Sequence, residues 1–261
     1  MTLQAAPRPP VSPGTNGHVQ VALPEPGQSL SQDAEWCVVR VGAEWLQIRF
    51  HDYKQLFSVP GLYEKVFYDI LECTSPQTIC DMVAAALCRQ GASADTLRVL
   101  DLGAGNGIMG ELMAGLGAEA VVGIDIIEEA ARAAQRDRPG IYDRFHVVDL
   151  TNVDDADHRA LAAYRFNCLT CVAALGFGDI PTDAFTTAFN LIRTDGWIAF
   201  NIKEAFLDDE DTSGFAQLVQ TMTSDGVLDV CETRHYMHRL GTDRKQLPYI
   251  GIVGRKRRDI V

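Results

Sequence analysis

Val99-Leu100-Asp101-Leu102-Gly103-Ala104-Gly105-Asn106-Gly107 is the stretch that decides the fold of this chain: an apolar run ends in glycines spaced two apart and opens into Ile108-Met109-Gly110-Glu111-Leu112-Met113. The pattern predicts a buried strand, a tight glycine turn and a helix start. Glycines let the backbone take positive φ and remove every Cβ that would hold a ligand away from the main chain. The turn is therefore a place for a small molecule.

Gly105-Asn106-Gly107-Ile108-Met109-Gly110 also satisfies the dinucleotide pattern G-x-G-x-x-G, which alone is a weak signal. Asp101 argues against it. A strand buried on both faces of a parallel sheet reads as continuously apolar, so a carboxylate two residues before the first glycine needs a reason. A pyrophosphate at a helix N-terminus wants amide N–H groups and positive potential, not a fixed carboxylate beside it. The ammonium and sulfonium of S-adenosylmethionine suit a carboxylate and glycine carbonyls. The plainer alternative is that Asp101 only caps the turn or the helix.

Outward from this stretch, strand and helix patterns alternate to about residue 202, as a parallel sheet requires. Strands are expected at Arg98–Leu102, Ala120–Asp125, Arg144–Asp149, Phe166–Val172 and Trp197–Ile202, and helices at Gly107–Leu116, Ile127–Arg136, Asp157–Tyr164, Asp183–Ile192 and Thr212–Ser224. Leu228–Met237 and Tyr249–Gly254, joined by the polar Gly241–Lys245 loop, read as an antiparallel hairpin on the sheet edge. Asp125 ends the second strand eighteen residues past Gly107, near the offset at which an acidic side chain meets a ribose diol in doubly wound folds. Asp149 is expected at the end of the third strand, again at the carboxyl edge, where an acceptor suits an exocyclic adenine amine. Either aspartate alone could be a turn residue. Three acidic residues at three successive strand ends are a stronger signal.

The chain has 261 residues, 47% of them hydrophobic, enough for one sizeable core. With 23 basic against 35 acidic residues the net charge is −12, the wrong sign for phosphate backbones or anionic lipid surfaces. Nucleic acid and membrane partners are disfavoured accordingly, and Arg255-Lys256-Arg257-Arg258 and Asp208-Asp209-Glu210-Asp211 read as solvated segments. Seven cysteines form no even framework, which implies a reducing, cytoplasmic setting. Cys168 and Cys171 sit three apart in a strand and so face opposite ways, which excludes a shared metal. No metal site is expected. No signal segment and no apolar run of membrane-spanning length is evident.

Residues 1–33, with six of the eleven prolines, read as a disordered tail. Residues 34–95 read as a β-hairpin, Trp36–Val41 and Trp45–Phe50 around Gly42-Ala43-Glu44, followed by helices at about Leu62–Glu72 and Ser75–Arg89 that cover a pocket. An isolated hairpin is marginal in water, so this one packs on the main domain or on a second copy in a homodimer. Residues 96–261 read as the ligand-binding core.

On the glycine stretch, the two later aspartates and the closing hairpin, the chain resembles the class I S-adenosylmethionine-dependent methyltransferases over roughly residues 60–255. The resemblance implies an α/β, doubly wound, Rossmann-like seven-stranded sheet with an antiparallel C-terminal hairpin, plus the N-terminal hairpin and cover helices. It implies S-adenosylmethionine as cofactor and S-adenosylhomocysteine as product. Asp101, Gly103, Ala104, Gly105, Asn106 and Gly107 would hold the methionine part, Asp125 with Ile126 the ribose, Asp149 with Leu150 the adenine, with Val172 and Tyr63 as further contacts. Val172-Ala173-Ala174-Leu175-Gly176-Phe177-Gly178-Asp179-Ile180-Pro181 and Leu191–Trp197 are most similar to small-molecule enzymes and to the methyltransferase-like protein of the Williams-Beuren region. The Asn/Asp-Pro-Pro-Tyr/Phe tetrapeptide of enzymes that methylate planar amines is missing after the fourth strand. The expected activity is in-line methyl transfer to a small-molecule acceptor, which needs a general base only for a hydroxyl or acidic carbon. Candidates are His235, His238, His51, Tyr53 and Asp179. Alternatives are a non-catalytic cofactor-binding module and an aminopropyl-type transferase on the same fold.

Overall fold

The structure, a computed structural model, describes residues 19–25, 30–207 and 213–261. Most of the expected tail and the acidic run Asp208–Asp211 lie outside the described residues. The chain forms two compact units, one built from residues 1–74 with 237–247 and the other from 75–236 with 248–261. This differs from the division expected at residue 95: the Ser75–Arg89 helix belongs to the core unit, and the far end of the late hairpin belongs to the N-terminal one.

In the N-terminal unit, strands β1 (Val21–Ala22), β2 (Trp36–Val41) and β3 (Glu44–Arg49) form an antiparallel sheet in that order. Val21 pairs with Val39, so part of the presumed tail is a strand. Two residues between proline-rich segments carry too little periodicity to announce themselves. Helix α1 (Tyr53–Ser58) is capped by Asp52, whose carboxylate accepts the Gln55 amide at 3.1 Å. Helix α2 (Leu62–Glu64) runs into a π-helical stretch, Lys65–Ile70, where a plain helix to Glu72 was expected. Leu56, Leu62, Val66, Phe67 and Leu71 bury against Cys37, Val39, Ile48 and Phe50 of the sheet. A buried ion pair closes the unit. Arg239 donates to Glu35 at 2.6 Å, the other Glu35 oxygen accepts the Thr242 amide at 2.5 Å, and the guanidinium lies over the rings of Phe50 and Phe67.

The larger unit is built on β4 (Arg98–Leu102), β5 (Ala120–Asp125), β6 (Arg144–Val147), β7 (Cys168–Cys171), β8 (Trp197–Lys203), β9 (Leu228–Leu240) and β10 (Gln246–Lys256). Their order is β6-β5-β4-β7-β8-β10-β9, with β4 to β8 parallel and β10 antiparallel to β8. Helices α3 (Ser75–Arg89) and α4 (Ile108–Leu116) cover one face; α6 (Asp155–Ala162), α7 (Thr182–Asn190) and α8 (Phe215–Ser224) contribute to the other. Helix α5 (Glu128–Asp137) follows β5. Strand residues alternate between the two cores: Val99, Val121 and Cys168 bury into one, Leu100, Val122 and Cys171 into the other. The two thiols of the C-x-x-C are thus on opposite faces. The sheet matches the expected doubly wound arrangement with its antiparallel hairpin. Its strand order reverses between β4 and β7, which puts a ligand crevice at the carboxyl ends of these two strands.

Helix ends are chemically fixed as well. Lys256 is buried at the C-terminus of α7, where its ammonium donates to the carbonyls of Phe189 (3.0 Å), Asn190 (3.2 Å) and Ile192 (2.5 Å) and pairs with Asp259 at 2.5 Å. A cation there satisfies carbonyls that a helix end leaves open and complements the helix dipole.

Candidate functional site

The turn after β4 is shaped by three glycines at positive φ, Gly103 (68°), Gly105 (54°) and Gly107 (91°). A Cβ on Gly103 would stand 2.8 Å from Ile180 Cδ1 and 3.0 Å from Ala174 Cβ, so the loop after β7 presses on the turn. The turn's amides are spent inside the protein. Gly103 and Ala104 both donate to the Ile124 carbonyl (2.9 and 3.0 Å), Gly107 donates to the Ala104 carbonyl (3.0 Å), and Gly105 donates to Asp125 Oδ2 (3.0 Å). The Asn106 side chain turns to Asp137 (3.3 Å), so this residue contributes to the loop through its backbone.

Asp125 closes β5 half-buried. Its Oδ1 accepts the Ile127 amide at 3.1 Å, which starts α5, and burial raises its carboxyl above the ordinary value. Ile126, immediately after it, is 58% exposed, an apolar surface beside a polar turn. Asp149 lies two residues past the end of β6, not on the strand, because its carboxylate holds an Asx turn through the Thr151 amide (2.9 Å) and hydroxyl (2.7 Å). Those two bonds lower its carboxyl, and it is exposed, whereas Leu150 is buried. Val172 follows β7 directly, half-buried.

Asp101 is almost completely buried and is satisfied without a ligand. Tyr142 Oη donates to Oδ2 and Thr170 Oγ1 to Oδ1, each at 2.7 Å, and the Gly110 amide also bonds the carboxylate. Burial still pushes this carboxyl up to about 6. The helix that follows has Gly107 at its N-cap and no side-chain cap hydrogen bond, so these two hydroxyl bonds are not the helix cap of the plainer alternative.

Two further groups stand at this edge that sequence patterns did not single out. Tyr142 precedes β6 and lies against three glycines: a Cβ would stand 2.5 Å from its ring at Gly110, 3.1 Å at Gly123 and 3.2 Å at Gly107. The third glycine of the apparent G-x-G-x-x-G thus makes room for a tyrosine. Asn201, fully buried in β8, accepts the Ala173 amide at 2.6 Å and donates to Ser75 Oγ (3.0 Å) and Tyr236 Oη (2.7 Å). It holds Ala173 at φ 57°, where a non-glycine residue is strained, and so fixes the start of the loop after β7.

The candidate bases divide between the units. His235 is exposed in the sheet unit, with Nδ1 2.7 Å from Glu204 Oε1. Asp179 is in the loop after β7, its amide bonded to the Gly176 carbonyl at 3.1 Å. His51, Tyr53, His238 and Tyr63 belong to the other unit. Tyr53 stacks on Phe57, and Tyr63 packs between Phe57 and Phe67 with ring centroids 4.9 and 4.8 Å away. His238 is buried with Nδ1 3.8 Å from Cys73 Sγ, and desolvation holds its imidazole well below the ordinary value. This is a neutral core histidine. Among the described residues no cluster of His, Cys, Asp or Glu could hold a metal, and no helix is long and apolar enough to cross a membrane.

Comparison with known proteins decides the family: residues 74–239, well over half of the chain, match the family described as "Methyltransferase domain". The chain belongs to the class I S-adenosylmethionine-dependent methyltransferases. Among curated members, a ubiquinone biosynthesis O-methyltransferase of Thiobacillus denitrificans is 35% identical over 104 residues, 40% of this chain and 43% of that protein. Its counterpart in Neisseria meningitidis serogroup C is 30% identical over 112 residues, again 40% and 43%. The match thus spans less than half the length of these relatives. Among solved methyltransferases, the N-methyltransferase NodS of Bradyrhizobium japonicum WM9 in complex with S-adenosyl-L-homocysteine shares the fold at a TM-score of 0.53. It is 13% identical over 79% of this chain and 97% of its own.

Proposed function

We propose that this methyltransferase-family chain moves the methyl group of S-adenosylmethionine to a hydroxyl of a small-molecule acceptor and releases S-adenosylhomocysteine. The observation that carries this is the hydrogen bonding of the glycine turn. The amides of Gly103, Ala104, Gly105 and Gly107 already have protein acceptors, so the turn has few donors left for a pyrophosphate. A ligand with a cationic sulfur and an ammonium needs acceptors instead. Asp125 keeps lone pairs for a ribose diol, Ile126 offers an apolar face to a purine, and Asp149 with Leu150 and Val172 would border the adenine. Bound in this way, the cofactor supplies an activated methyl. The chain's own task is to orient donor and acceptor and to keep water out, an effect worth up to about 7–11 kcal/mol in favourable systems.

The names of the curated relatives support oxygen as the acceptor atom. A hydroxyl must lose its proton during transfer, and His235 is the candidate whose surroundings suit the task. Glu204, 2.7 Å from Nδ1, orients the imidazole, with Nε2 as the accepting nitrogen.

Calorimetric titration with S-adenosylmethionine, S-adenosylhomocysteine and NAD tests the donor. Binding of the first two without the third is expected; NAD binding alone would overturn the proposal. Transfer of labelled methyl to a panel of phenols, catechols, amines and thiols tests the acceptor, and label found only on amines or thiols would refute the hydroxyl assignment.

A further inference from the structure

Tyr142 carries no signal in sequence patterns, yet its ring lies against three glycines at and beside the turn. Its ring occupies a slot made by three glycines of two segments: Gly107 and Gly110 at the start of α4, and Gly123 in β5. Edge-to-face packing on Phe145, with centroids 5.3 Å apart, fixes the ring from a further side. Its hydroxyl, buried and held in the protonated form, donates to Asp101. A phenylalanine would fill the slot equally well. The hydroxyl therefore needs its own explanation, and it sits on the carboxylate of the strand that leads into the glycine turn.

We infer that Tyr142 is a positioning residue for the methyl-donor site: its ring sets the first turn of α4 against β5, and its hydroxyl holds Asp101 charged and fixed at the entry to the glycine turn. The inference rests on the methyl-donor function proposed above. The groups within electrostatic reach of Asp101 are the hydroxyls of Tyr142 and Thr170, the Gly110 amide, the Asp125 carboxylate and, from the two faces of the sheet, the thiols of Cys168 and Cys171. Of these only the two hydroxyls and the amide favour its charged form; the neighbouring carboxylate and burial oppose it. Removing one donor of three shifts that balance toward the neutral acid. A neutral Asp101 adds no negative potential for the ammonium and sulfonium of the donor. Packing alone would give a different signature, in which stability and affinity fall together at every pH.

The test is S-adenosylhomocysteine affinity of the full chain from pH 5.5 to 8.5 for wild type, Tyr142→Phe and Tyr142→Leu, with melting temperatures measured alongside. Wild-type affinity should weaken as pH falls through about 6. In Tyr142→Phe the midpoint should rise by about one pH unit, with affinity at pH 6.5 about threefold weaker and melting little changed. A Tyr142→Phe profile that superimposes on wild type overturns the inference, as does a uniform loss at all pH values. If wild type binds no S-adenosylhomocysteine at any pH, the donor proposal itself fails and the inference with it. To separate folding from binding, Gly110→Ala tests the slot, since its Cβ would stand 2.5 Å from the ring. Gly110→Ala combined with Tyr142→Leu should recover melting temperature but not affinity; recovery of both would refute a role for the hydroxyl.

Discussion

Asp125 offers the sharpest test of how the turn holds a nucleoside. Its two oxygens accept the amides of Gly105 (3.0 Å) and Ile127 (3.1 Å), and their remaining acceptor capacity is what would take the ribose hydroxyls. Hydrogen bonds to a charged acceptor contribute about 1.5–3 kcal/mol each, so taking the lower figure for both ribose hydroxyls gives about 3 kcal/mol. That corresponds to about a hundredfold weaker binding of S-adenosylhomocysteine in Asp125→Ala. Asp125→Asn is the informative intermediate. It keeps one acceptor oxygen but sets an NH2 group against an amide that also donates, so a loss of about tenfold is expected together with a lowered melting temperature. Titration calorimetry reads the affinities, and far-ultraviolet dichroism with thermal melts reports the fold. Affinity of a folded Asp125→Ala within threefold of wild type would refute the reasoning and move the ribose elsewhere.

Three more outcomes follow from buried polar groups. Lys256→Met removes the cation from three carbonyls at the end of α7 and should cost about 3 kcal/mol, or about 6–12 °C in a thermal melt; a shift under 2 °C would show that water replaces the ammonium without loss. Asn201→Leu leaves the Ala173 amide without its acceptor, so hydrogen exchange at Ala173 should speed by about tenfold or more, whereas Asn201→Asp, which keeps an acceptor oxygen, should preserve protection. His238 is kept neutral in the fold, so the unfolded chain binds more protons below its own value of about 6.5. Wild type should then lose about 1.4 kcal/mol of stability per pH unit below 6.5 relative to His238→Gln, and a stability difference between the two proteins that is the same at pH 5.5 and 7.5 in denaturant titrations would contradict this.

What was legible in the sequence is what local periodicity and glycine punctuation encode. Arg98–Leu102 and Ala120–Asp125 are strands with the expected bounds, because continuous apolar runs flanked by glycine or aspartate leave little freedom. Asp149 was misplaced because Val148-Asp149 continues the alternation of β6 while the Asx turn that ends it depends on Thr151. The π-helical stretch at Lys65–Ile70 has an ordinary helical composition, and it buries Val66 and Phe67 in the core of its unit. Tyr142 and Asn201 were not visible for a different reason. Their partners lie far away in sequence, Asp101 at 41 positions and Ser75 at 126, and each forms its site only once the sheet brings distant strands together. The acidic residue of the glycine stretch was legible as an anomaly, but its three protein donors were not.

The strand order carries a consequence for how the protein is made. β10 lies between β8 and β9, although β9 comes earlier in the chain. During synthesis β9 therefore leaves the ribosome with no sheet neighbour, and it waits for the 29 residues from Leu228 to Lys256 to be completed before it can be enclosed. At about 5–20 residues per second that interval is a few seconds, far longer than hairpin formation takes. The two late strands are thus free to close on each other first, and the sheet grows by docking a preformed hairpin through β10 onto β8. The last ladder to form, Tyr249–Arg255 against Trp197–Lys203, is the one that brings Lys256 to the end of α7.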